Sequence, residues 1–565
     1  MARIGEKRVS EVLDYRRDIK GKRLIRLSAG VCSGKNQWIV QIAKSEPDLR
    51  ILIVTSRKNT VIAQAEKLNA GTFLDLDKLI DEDLWGKPSA FAYKRVVCTN
   101  AGIEKFFKKC FNPKDERSHL WRKFNLVVID EVHSLTMDAT FTDCFYSEQL
   151  IKAIYNNNAE VDIVLMSGTQ EPIDWLFKGK IENKVHRLNC FNECLHLEPD
   201  YVRLIPDAMA VNQMFHLWKR GGRMIYFVNH RETAARLTKS LLLMGVPEEA
   251  FGYSFNNPKE VAGKFPSTIA DTLEKKVEYM NMQLTTKEMV PEDVKILFST
   301  TKNKEGISIL DDDIKTIFAE SHIKSELIQM AGRVRGNAET GSGIETLAII
   351  YDAQQHPINY DELEAMLNFD SLPAINETVE KYKRRCEKRG KKVDMDAVIG
   401  KVCGKNKYIR YDYATEKFKL YRGKIEGEKQ SMHDVCEFKD IVKNYNKPLL
   451  SYNRTGSEVL EQEWFKWSEI VMYIAPGGVV KYAKTMLLEF LKENGLYNTV
   501  FKKDKKETIK EEINRIATIY GYKELGIKKN FKNLGTVLLK FQLKLDDVSN
   551  GVSYRIRELE ESEKM

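Results

Sequence analysis

The sequence predicts an α/β protein with two tandem domains, each a parallel sheet with flanking helices, followed by a C-terminal α+β accessory region. Over the first 350 residues, short β-branched apolar runs alternate with longer amphipathic stretches, a pattern typical of strands joined by crossover helices. After Asp352 the chain changes to long, charged helical patterns. The 565 residues provide for three or four domains at roughly 100 to 200 residues each.

The predicted strands fall into two series. The first comprises Leu24–Leu27, Ile51–Thr55, Arg95–Thr99, Leu126–Ile129 and Ile163–Met166, and the second comprises Met224–Val228, Ile296–Ser299, Thr316–Ala319 and Thr346–Tyr351. We therefore place the first α/β domain at 1–197 and the second at 198–355. A basic accessory region at 356–470 and a C-terminal domain at 471–565 follow.

The composition excludes several classes of protein. With 43% apolar and 30% charged residues, the chain is neither disordered nor collagen-like. Its nine cysteines form no CxxC pair, which predicts reduced thiols and no structural zinc. The charged N-terminus and the lack of any run of about 18 apolar residues predict a protein that is neither secreted nor membrane-spanning. We expect a cytoplasmic location.

The net charge of +9 is concentrated in one place. Residues 381–424 contain 16 Lys and Arg against 5 Asp and Glu, a net charge of +11, which leaves −2 for the other 521 residues. A basic excess confined to one window favours an anionic partner there.

The segment Ser-Ala-Gly-Val-Cys-Ser-Gly-Lys-Asn, residues 28–36, follows the first strand and precedes a helical pattern. A small-residue loop at a helix N-terminus points backbone N–H groups at phosphate, which makes Gly30, Ser33 and Gly34 candidate phosphate binders. Lys35 would reach the β- and γ-phosphates. Two departures from the usual phosphate loop are Cys32, where glycine is common, and Asn36, where Ser or Thr usually binds Mg²⁺. The alternative is an ordinary strand-to-helix turn.

The run Leu-Val-Val-Ile-Asp-Glu-Val-His, residues 126–133, is a buried-strand pattern that ends in two carboxylates. At the end of a central strand, Asp130 would hold Mg²⁺, with Asn36 as a second candidate ligand, and Glu131 would polarise the attacking water. An acidic pair after a strand can instead be a helix cap or a solvated turn.

Further segments follow in a fixed order: Ser167-Gly-Thr169, Thr300 with Gly306, and Gln329-x-x-Gly-Arg333. Together with Gly34-Lys35 and Asp130-Glu-Val-His133 they resemble the ordered motifs of the superfamily 2 helicases of the DExH type. Looser matches are Ile53–Arg57, Val97–Gly102 and Tyr226–Arg231. The resemblance covers roughly residues 20 to 355.

The resemblance implies that both domains are RecA-like and that ATP lies between them. Lys35, Asp130 and Glu131 would act from the first domain, and Arg333 would reach across from the second to stabilise transition-state charge. His133 and Gln329 would link the domains across the nucleotide. Residues that would bind nucleic-acid phosphates are Arg57, Thr99 and Thr300, and Gly306 belongs to the nucleotide site.

The last motif departs from the common family pattern. Its second arginine, Arg335, falls one residue early, which is about 100° away if the segment is helical. Arg335 is therefore either catalytic or a surface residue paired with an acidic loop. The Gly-Arg-Val-Arg ending is similar to that of herpesvirus-type origin-binding helicases and of helicases from phages and mobile elements.

In the basic window, Lys407–Tyr413 and Lys417–Arg422 alternate basic and aromatic residues, as a hairpin would. Tyr408, Arg410 and Tyr411 are candidate nucleic-acid contacts by stacking and by charge. The alternative is a solvated basic face whose aromatic rings pack inward. Near the C-terminus, a helix over Phe531–Leu543 and a hairpin with an Asn550-Gly551 turn indicate a winged-helix module or a small packing domain.

The predicted function is therefore that of an ATP- and Mg²⁺-dependent helicase or translocase acting on nucleic acid. DNA is favoured over RNA, in replication or in phage and mobile-element biology, where replication proteins are candidate partners. The alternative is a protein that binds an origin or a single strand, with a degenerate helicase core and ATP as a conformational ligand. A nuclease-associated translocase is a third hypothesis.

Overall fold

A computed structural model describes residues 2–4, 7–30, 33–56, 58–72, 93–103, 122–139, 143–156, 160–169, 171–177, 184–194, 196–300, 309–335, 343–356, 360–367, 369, 371–413, 415–450, 453–466, 468–472 and 478–560.

The strands, in chain order, are β1 Ala2–Ile4, β2 Leu24–Ser28, β3 Ile51–Thr55, β4 Gly71–Thr72, β5 Arg95–Thr99, β6 Leu126–Asp130, β7 Asp162–Ser167, β8 His186–Asn189, β9 His196–Glu198, β10 Tyr201–Ile205, β11 Arg223–Val228, β12 Phe251–Ser254, β13 Ile296–Thr300, β14 Ile314–Ala319, β15 Thr346–Ile350, β16 Ile409–Asp412, β17 Lys417–Leu420, β18 Glu469–Met472, β19 Val500–Lys502, β20 Leu543–Asp547 and β21 Ser553–Glu558.

The α-helices are α1 Val9–Val12, α2 Lys35–Ser45, α3 Lys58–Leu68, α4 Ser134–Met137, α5 Phe145–Asn156, α6 Asp207–Lys219, α7 Arg231–Leu243, α8 Ser267–Ala270, α9 Leu273–Thr286, α10 Lys324–Ala331, α11 Tyr360–Leu367, α12 Leu372–Lys388, α13 Met395–Lys405, α14 Arg422–Lys443, α15 Gly456–Val459, α16 Gly478–Glu493, α17 Lys505–Tyr520 and α18 Leu534–Lys540. Short 3-10 helices cover Glu171–Phe177, Glu248–Ala250, Pro258–Glu260 and Ala262–Lys264, and π-helical turns cover Tyr15–Ile19 and Leu460–Trp464.

The first domain is built on a sheet that, in the described residues, has seven parallel strands in the order β4-β5-β3-β6-β7-β2-β8. The central strands β3, β6 and β7 are buried along their whole length. Helices cover both faces of such a sheet, so the strands are continuous apolar runs rather than alternating ones. The five predicted strands of this domain are confirmed within one residue at each end.

The second domain repeats this architecture, with seven described parallel strands in the order β12-β13-β11-β14-β15-β10-β18. Its edge strand β18 comes from the accessory region and pairs with β10, so the chain returns to this sheet after leaving it. The predicted fold class of two tandem parallel-sheet domains of the RecA-like type, followed by an antiparallel α+β region, is confirmed. In these two sheets, the sequence patterns missed β4, β8, β10, β12 and β18.

The accessory region contains the predicted hairpin. β16 and β17 pair antiparallel, with Tyr411 opposite Phe418. Helix α12 lies against this hairpin, where the Asn376 Nδ2 donates to the Phe418 carbonyl at 3.0 Å and the Phe418 N–H donates to Asn376 Oδ1 at 2.7 Å. The long helix α14 follows the hairpin directly.

The C-terminal domain combines helices α16, α17 and α18 with a three-stranded antiparallel sheet in the order β19-β21-β20. The predicted Asn550-Gly551 turn is confirmed, since both residues have positive φ, of 42° and 85°. The predicted Phe531–Leu543 helix is shorter, because the Asn533 side chain accepts from the Thr536 N–H and starts the helix at Leu534. Ile513 and Ile516 share one apolar core with Leu237 and Leu241 of the second domain.

Among the described helices, none has the length and apolar character that crossing a bilayer requires.

A buried carboxyl joins two strands of the second domain. Glu320, directly after β14, accepts the Asn229 N–H at 2.7 Å and the Tyr226 hydroxyl at 3.2 Å, both from the end of β11. Burial raises the pKa of Glu320 from 4.5 to about 7, against the effect of the Asn229 hydrogen bond. The folded protein therefore retains a proton here that the unfolded chain releases.

We expect Glu320→Gln to change how stability depends on pH. The contribution of Glu320 to stability is fully present below pH 4.5 and is lost as the pH rises through about 7. As the pH rises from 4.5 to 8, the free energy of unfolding of Glu320→Gln should therefore increase relative to that of the wild type by on the order of 1 to 3 kcal/mol. Thermal unfolding at a series of pH values measures this difference. The exposed Glu232→Gln variant is the control, and parallel profiles for both variants would contradict this account.

Candidate active site

The site is placed by three neighbouring strands of the first sheet. β7 lies between β2 and β6, and its register pairs Ser28 with Ser167 and Met166 with Asp130. Because the three strands are parallel, their carboxyl ends meet at one edge of the sheet. The loop after β2, the end of β7 and the end of β6 therefore bring their side chains together.

The described residues around the start of α2 carry groups that can donate to an anion. Gly34 has φ of +83°, in the left-handed region, and precedes α2 directly. Lys35 is the first residue of α2 and is buried; its Nζ donates to the carbonyls of Ala29 at 3.1 Å and Gly30 at 3.0 Å. The Ser33 hydroxyl is fully buried and has no hydrogen-bond partner among the described residues. The helix N-terminus, the ammonium and this hydroxyl suit a phosphate. Cys32 lies outside the described residues.

Asp130 is the buried carboxylate of the site. Gln64 Nε2 donates to its Oδ2 at 3.2 Å, the Glu131 N–H donates to its Oδ1 at 3.0 Å, and the side chain of Asn36 also hydrogen-bonds to it. Burial and the neighbouring Glu131 raise the pKa of Asp130 from 3.8 to about 6, although Lys35, Asn36 and Gln64 favour its charged form. Gln64 had no signal in the sequence, because it lies in α3, remote from every motif.

Glu131, His133 and the end of β7 form one polar network. His133 Nδ1 lies 2.8 Å from Ser167 Oγ and 3.5 Å from Glu131 Oε2, and Ser167 Oγ lies 3.5 Å from the same carboxylate. The Thr169 N–H donates to Ser167 Oγ at 3.0 Å. Glu131 has a φ of +49°, so the chain turns sharply between the two carboxylates. The structure thus joins the predicted second and third motifs by direct hydrogen bonds.

A second cluster lies on the second domain. Arg333 is buried, and its Nη2 donates to Gln329 Oε1 at 2.6 Å while its Nε donates to the Gln329 carbonyl at 3.2 Å. The Gln329 Nε2 is buried and has no hydrogen-bond partner among the described residues. Gln329 and Arg333 are therefore held together in a defined geometry, with an amide donor left for a further partner.

The helical geometry considered for Arg335 is wrong. Helix α10 ends at Ala331, and Val334 pairs with Ile309 as a parallel bridge. The Ile309 N–H donates to the Arg333 carbonyl at 2.8 Å, and the Arg335 N–H donates to the Ile309 carbonyl at 2.9 Å. The segment that carries Arg335 is therefore a short bridge beside Ile309 rather than a helix, and the offset of about 100° does not apply.

The predicted phosphate contacts are placed only in part. Thr99 and Thr300 are half-buried last residues of β5 and β13, at the carboxyl edges of the two sheets. The Thr99 hydroxyl accepts the Gly102 N–H at 3.0 Å. Arg57 and Gly306 lie outside the described residues.

The hairpin residues predicted to contact nucleic acid are engaged inside the protein. Tyr408 is fully buried, and its hydroxyl donates to Glu428 Oε2 at 2.5 Å; Tyr411 is 5% exposed. Arg410 is used internally, since its Nε lies 2.6 Å from Asp143 Oδ2 and its guanidinium lies over the Tyr421 ring. The alternative interpretation, with the aromatic rings packed inward, describes this hairpin.

The free positive charge lies instead at the end of α12. Six basic residues there are exposed, and none is in an ion pair with a described residue: Arg384, Arg385, Lys388, Arg389, Lys391 and Lys392. On the hairpin, by contrast, Lys407 pairs with Glu362 and Glu428, and Lys419 pairs with Asp412. Within the basic window, Lys407, Arg410 and Lys419 are thus neutralised by acidic partners, whereas the six cations at the end of α12 are not.

Comparison with known proteins gives a likeness of fold. The sequence matches no protein-family model and no curated protein. Among solved structures, Mss116p bound to ssRNA and AMP-PNP is similar at 11% identity and a TM-score of 0.43, covering 88% of this chain and 82% of that one. The Escherichia coli DEAH/RHA helicase HrpB is similar at 11% identity and a TM-score of 0.41, covering 98% and 65%. The DUF1998 helicase MrfA bound to DNA is similar at 13% identity and a TM-score of 0.39, covering 63% and 47%.

Proposed function

We propose that this chain is an ATP-driven helicase or translocase of the superfamily 2 type that acts on DNA, in replication or in phage and mobile-element biology. The network of Glu131, His133, Ser167 and Thr169 supports this proposal most strongly. This network joins Glu131, the candidate general base, to the end of β7. It lies beside the buried Lys35 at the start of α2. The Gly-Arg-Val-Arg ending of the last motif favours DNA.

Nucleotide binding would use the loop after β2. Lys35 now donates to two backbone carbonyls, Ala29 and Gly30, and the phosphates of ATP would replace these as its partners. The unpartnered Ser33 hydroxyl and the N–H groups at the start of α2 would donate to the same phosphates. From the second domain, Arg333 and Arg335 would approach the γ-phosphate.

The donor set fits a magnesium ion. Asp130 supplies a carboxylate whose charged form is disfavoured by burial, and Asn36, hydrogen-bonded to it, supplies an amide oxygen. Both are oxygen donors of the kind Mg²⁺ prefers, and a nearby cation would offset the cost of ionising Asp130. When bound, the ion would neutralise charge on the β- and γ-phosphates.

Hydrolysis would use Glu131 as the general base that takes the proton of the attacking water. Its carboxylate lies against Ser167 and His133, so a change in its charge or position reaches the end of β7 within one hydrogen bond. This arrangement provides a physical route from phosphate chemistry to the end of β7.

Two substitutions test the enzymatic proposal. Lys35→Ala should abolish ATP binding, because it removes the only ammonium of the loop after β2. Glu131→Gln should retain ATP binding and reduce turnover by on the order of 10² to 10⁴-fold, because it removes the base. ATP turnover and binding would be measured with Mg²⁺ in the absence and presence of single-stranded DNA, duplex DNA and RNA.

The exposed Gln37→Ala variant in α2 is the control for these measurements. A wild-type protein that hydrolyses no ATP with any polymer would contradict the proposal. ATP binding without turnover, accompanied by a change in DNA affinity, would support the alternative of an ATP-modulated DNA-binding protein. RNA stimulating more strongly than DNA would overturn the choice of DNA.

We expect Asn36→Thr to retain or raise ATP turnover. The Asn36 side chain already hydrogen-bonds to Asp130, and a threonine hydroxyl supplies an oxygen of the same kind at the start of α2. Turnover as a function of Mg²⁺ concentration measures this directly, with Asn36→Leu as the variant that removes the oxygen. Loss of activity in Asn36→Thr equal to that in Asn36→Leu would show that an amide is specifically required.

The exposed end of α12 is proposed as the main source of nucleic-acid affinity. Reversing three charges, in Arg384→Glu/Lys388→Glu/Lys391→Glu, should weaken single-strand binding at least about tenfold and leave basal ATP turnover unchanged. For each phosphate that the variant no longer neutralises, the slope of log affinity against log salt should become shallower by about 0.7 on a single strand. Fluorescence anisotropy across a salt series measures both effects.

The matched control reverses three exposed lysines on the C-terminal domain, in Lys502→Glu/Lys503→Glu/Lys505→Glu. These lysines are also outside any ion pair with a described residue, and the change in total charge is the same. Equal losses of affinity in the two triple variants would show that long-range charge, rather than α12, supplies the binding.

A further inference from the structure

Helix α14 presents one continuous face to both α/β domains. Its buried residues include Gly423, Gly427, Ser431, Asp434, Phe438 and Ile441, which recur at spacings of three and four and therefore form a single stripe along the helix. The 22 residues span about 33 Å at 1.5 Å per residue. One rigid element of this length can reach from one domain to the other.

The first half of this stripe lies against the segment that follows Glu131 and His133. A Cβ at Gly427 would lie 2.0 Å from the Thr136 carbonyl oxygen, and one at Gly423 would lie 2.6 Å from that of Leu135. The Gly423 N–H also donates to Glu148 Oε2 at 3.3 Å. Helix α4, which holds both carbonyls, begins at Ser134, so glycine is required for α14 to approach within two residues of His133.

The second half of the stripe lies against the helix that carries Gln329. Asp434 Oδ2 accepts the N–H of Lys324, the first residue of α10, at 3.1 Å and so caps that helix from outside. The Phe438 ring is stacked on the His322 ring with centroids 4.4 Å apart. Phe438 and Ile441 are part of the core of the second domain.

The hairpin and the start of α14 are tied to the first domain, and α12 is tied to the hairpin. The Tyr421 hydroxyl accepts the Cys144 N–H at 2.6 Å, and the Tyr146 hydroxyl donates to the Tyr411 carbonyl at 2.7 Å. Asn376, near the start of α12, exchanges two hydrogen bonds with Phe418 of the hairpin. Helix α12 is thus joined to α14 through the hairpin that directly precedes α14.

We propose that α14 is a spacer that sets the position of Glu131 and His133 relative to Gln329 and Arg333, with Gly427 and Asp434 as its positioning residues. This inference rests on the proposed function. Neither residue contacts the reacting groups; Gly427 acts through α4 and Asp434 through the N-terminus of α10. Nucleic acid held at the end of α12 acts on the two catalytic clusters through the same helix.

The test compares Gly427→Ala, Asp434→Ala and the double variant in the full chain. A displacement of about 1 Å at a catalytic group can cost on the order of 10²-fold in rate. We expect kcat to fall at least about tenfold in each single variant, with the KM for ATP within about threefold of wild type, because the loop after β2 is untouched. In the double variant, the fold-decrease in kcat should be smaller than the product of the two single-variant decreases, because both changes disrupt the same spacer helix.

Gly404→Ala is the matched control. It lies in α13 of the same accessory region, where an added Cβ meets no atom within 4 Å. This variant should retain wild-type kcat and wild-type nucleic-acid stimulation. A loss of kcat in Gly404→Ala equal to that in Gly427→Ala would overturn the proposal, as would wild-type kcat in both Gly427→Ala and Asp434→Ala.

Hydrogen exchange tests the spacer role of α14 independently of the proposed ATP turnover. Gly427→Ala changes a contact with the first domain, yet the amides of α10 in the second domain should exchange several-fold faster, because the capping Asp434 shifts with the helix. Unchanged exchange in α10 would overturn the spacer even if the enzyme is active. If the wild type hydrolyses no ATP but exchange in α10 rises, the proposed function fails and the spacer stands. Asp434→Ala keeps the test open if Gly427→Ala does not fold.

Discussion

The parallel pairing of β7 between β2 and β6 is the constraint on which the site depends. Each strand alone ends in a polar segment that forms no site by itself. Because the three strands run in the same direction, an ammonium, two carboxylates and a hydroxyl meet at one edge of the sheet. The register matters as much as the order, since Ser28 lies level with Ser167 and Asp130 with Met166. A slip of one residue would turn Ser167 to the other face and separate it from His133.

Burial of charge at that edge explains the surrounding polar residues. Two adjacent carboxylates on a fully buried strand end are costly, and the shift in the pKa of Asp130 records this cost. Lys35, Asn36 and Gln64 each reduce it by charge or by hydrogen bonding. The two backbone carbonyls that hold the Lys35 amine do the same for the cation. These contacts offset the cost of burying charge enough for the site to fold. The site retains charge and hydrogen-bonding capacity that a phosphate and a cation would satisfy.

The sheets and most residues of the candidate site could be identified from the sequence, because both follow local patterns. Strands buried on both faces are continuous apolar runs, and Lys35, Asp130, Glu131, Gln329 and Arg333 stand in motifs beside them. Gln64, Glu320 and strand β18 were missed, since their roles arise from contacts between distant segments.

The hairpin was predicted correctly but its faces were not. Tyr408 and Tyr411 have opposite parity and are both buried, because α11 and α14 cover Tyr408 while α12 and α13 cover Tyr411. Alternation in a sequence cannot show that a hairpin is covered on both sides. For Arg335, the predicted helical offset failed because α10 ends four residues earlier, at Ala331.

The cations within residues 381–424 have two kinds of environment. Arg410 is neutralised by Asp143 of the first domain, and Lys407 and Lys419 are neutralised by acidic residues of the accessory region, so these pairs hold the hairpin in place. At the end of α12, six cations are exposed and outside any ion pair with a described residue. Because the remaining 521 residues carry a net charge of −2, they supply little long-range attraction for an anionic partner. In the proposed function, affinity is then supplied beside the two α/β domains rather than within them. A surface of this kind can influence catalysis only through the structure that joins it to the site, and α14 is the part of the described chain that contacts the segments after Glu131 and before Gln329 together.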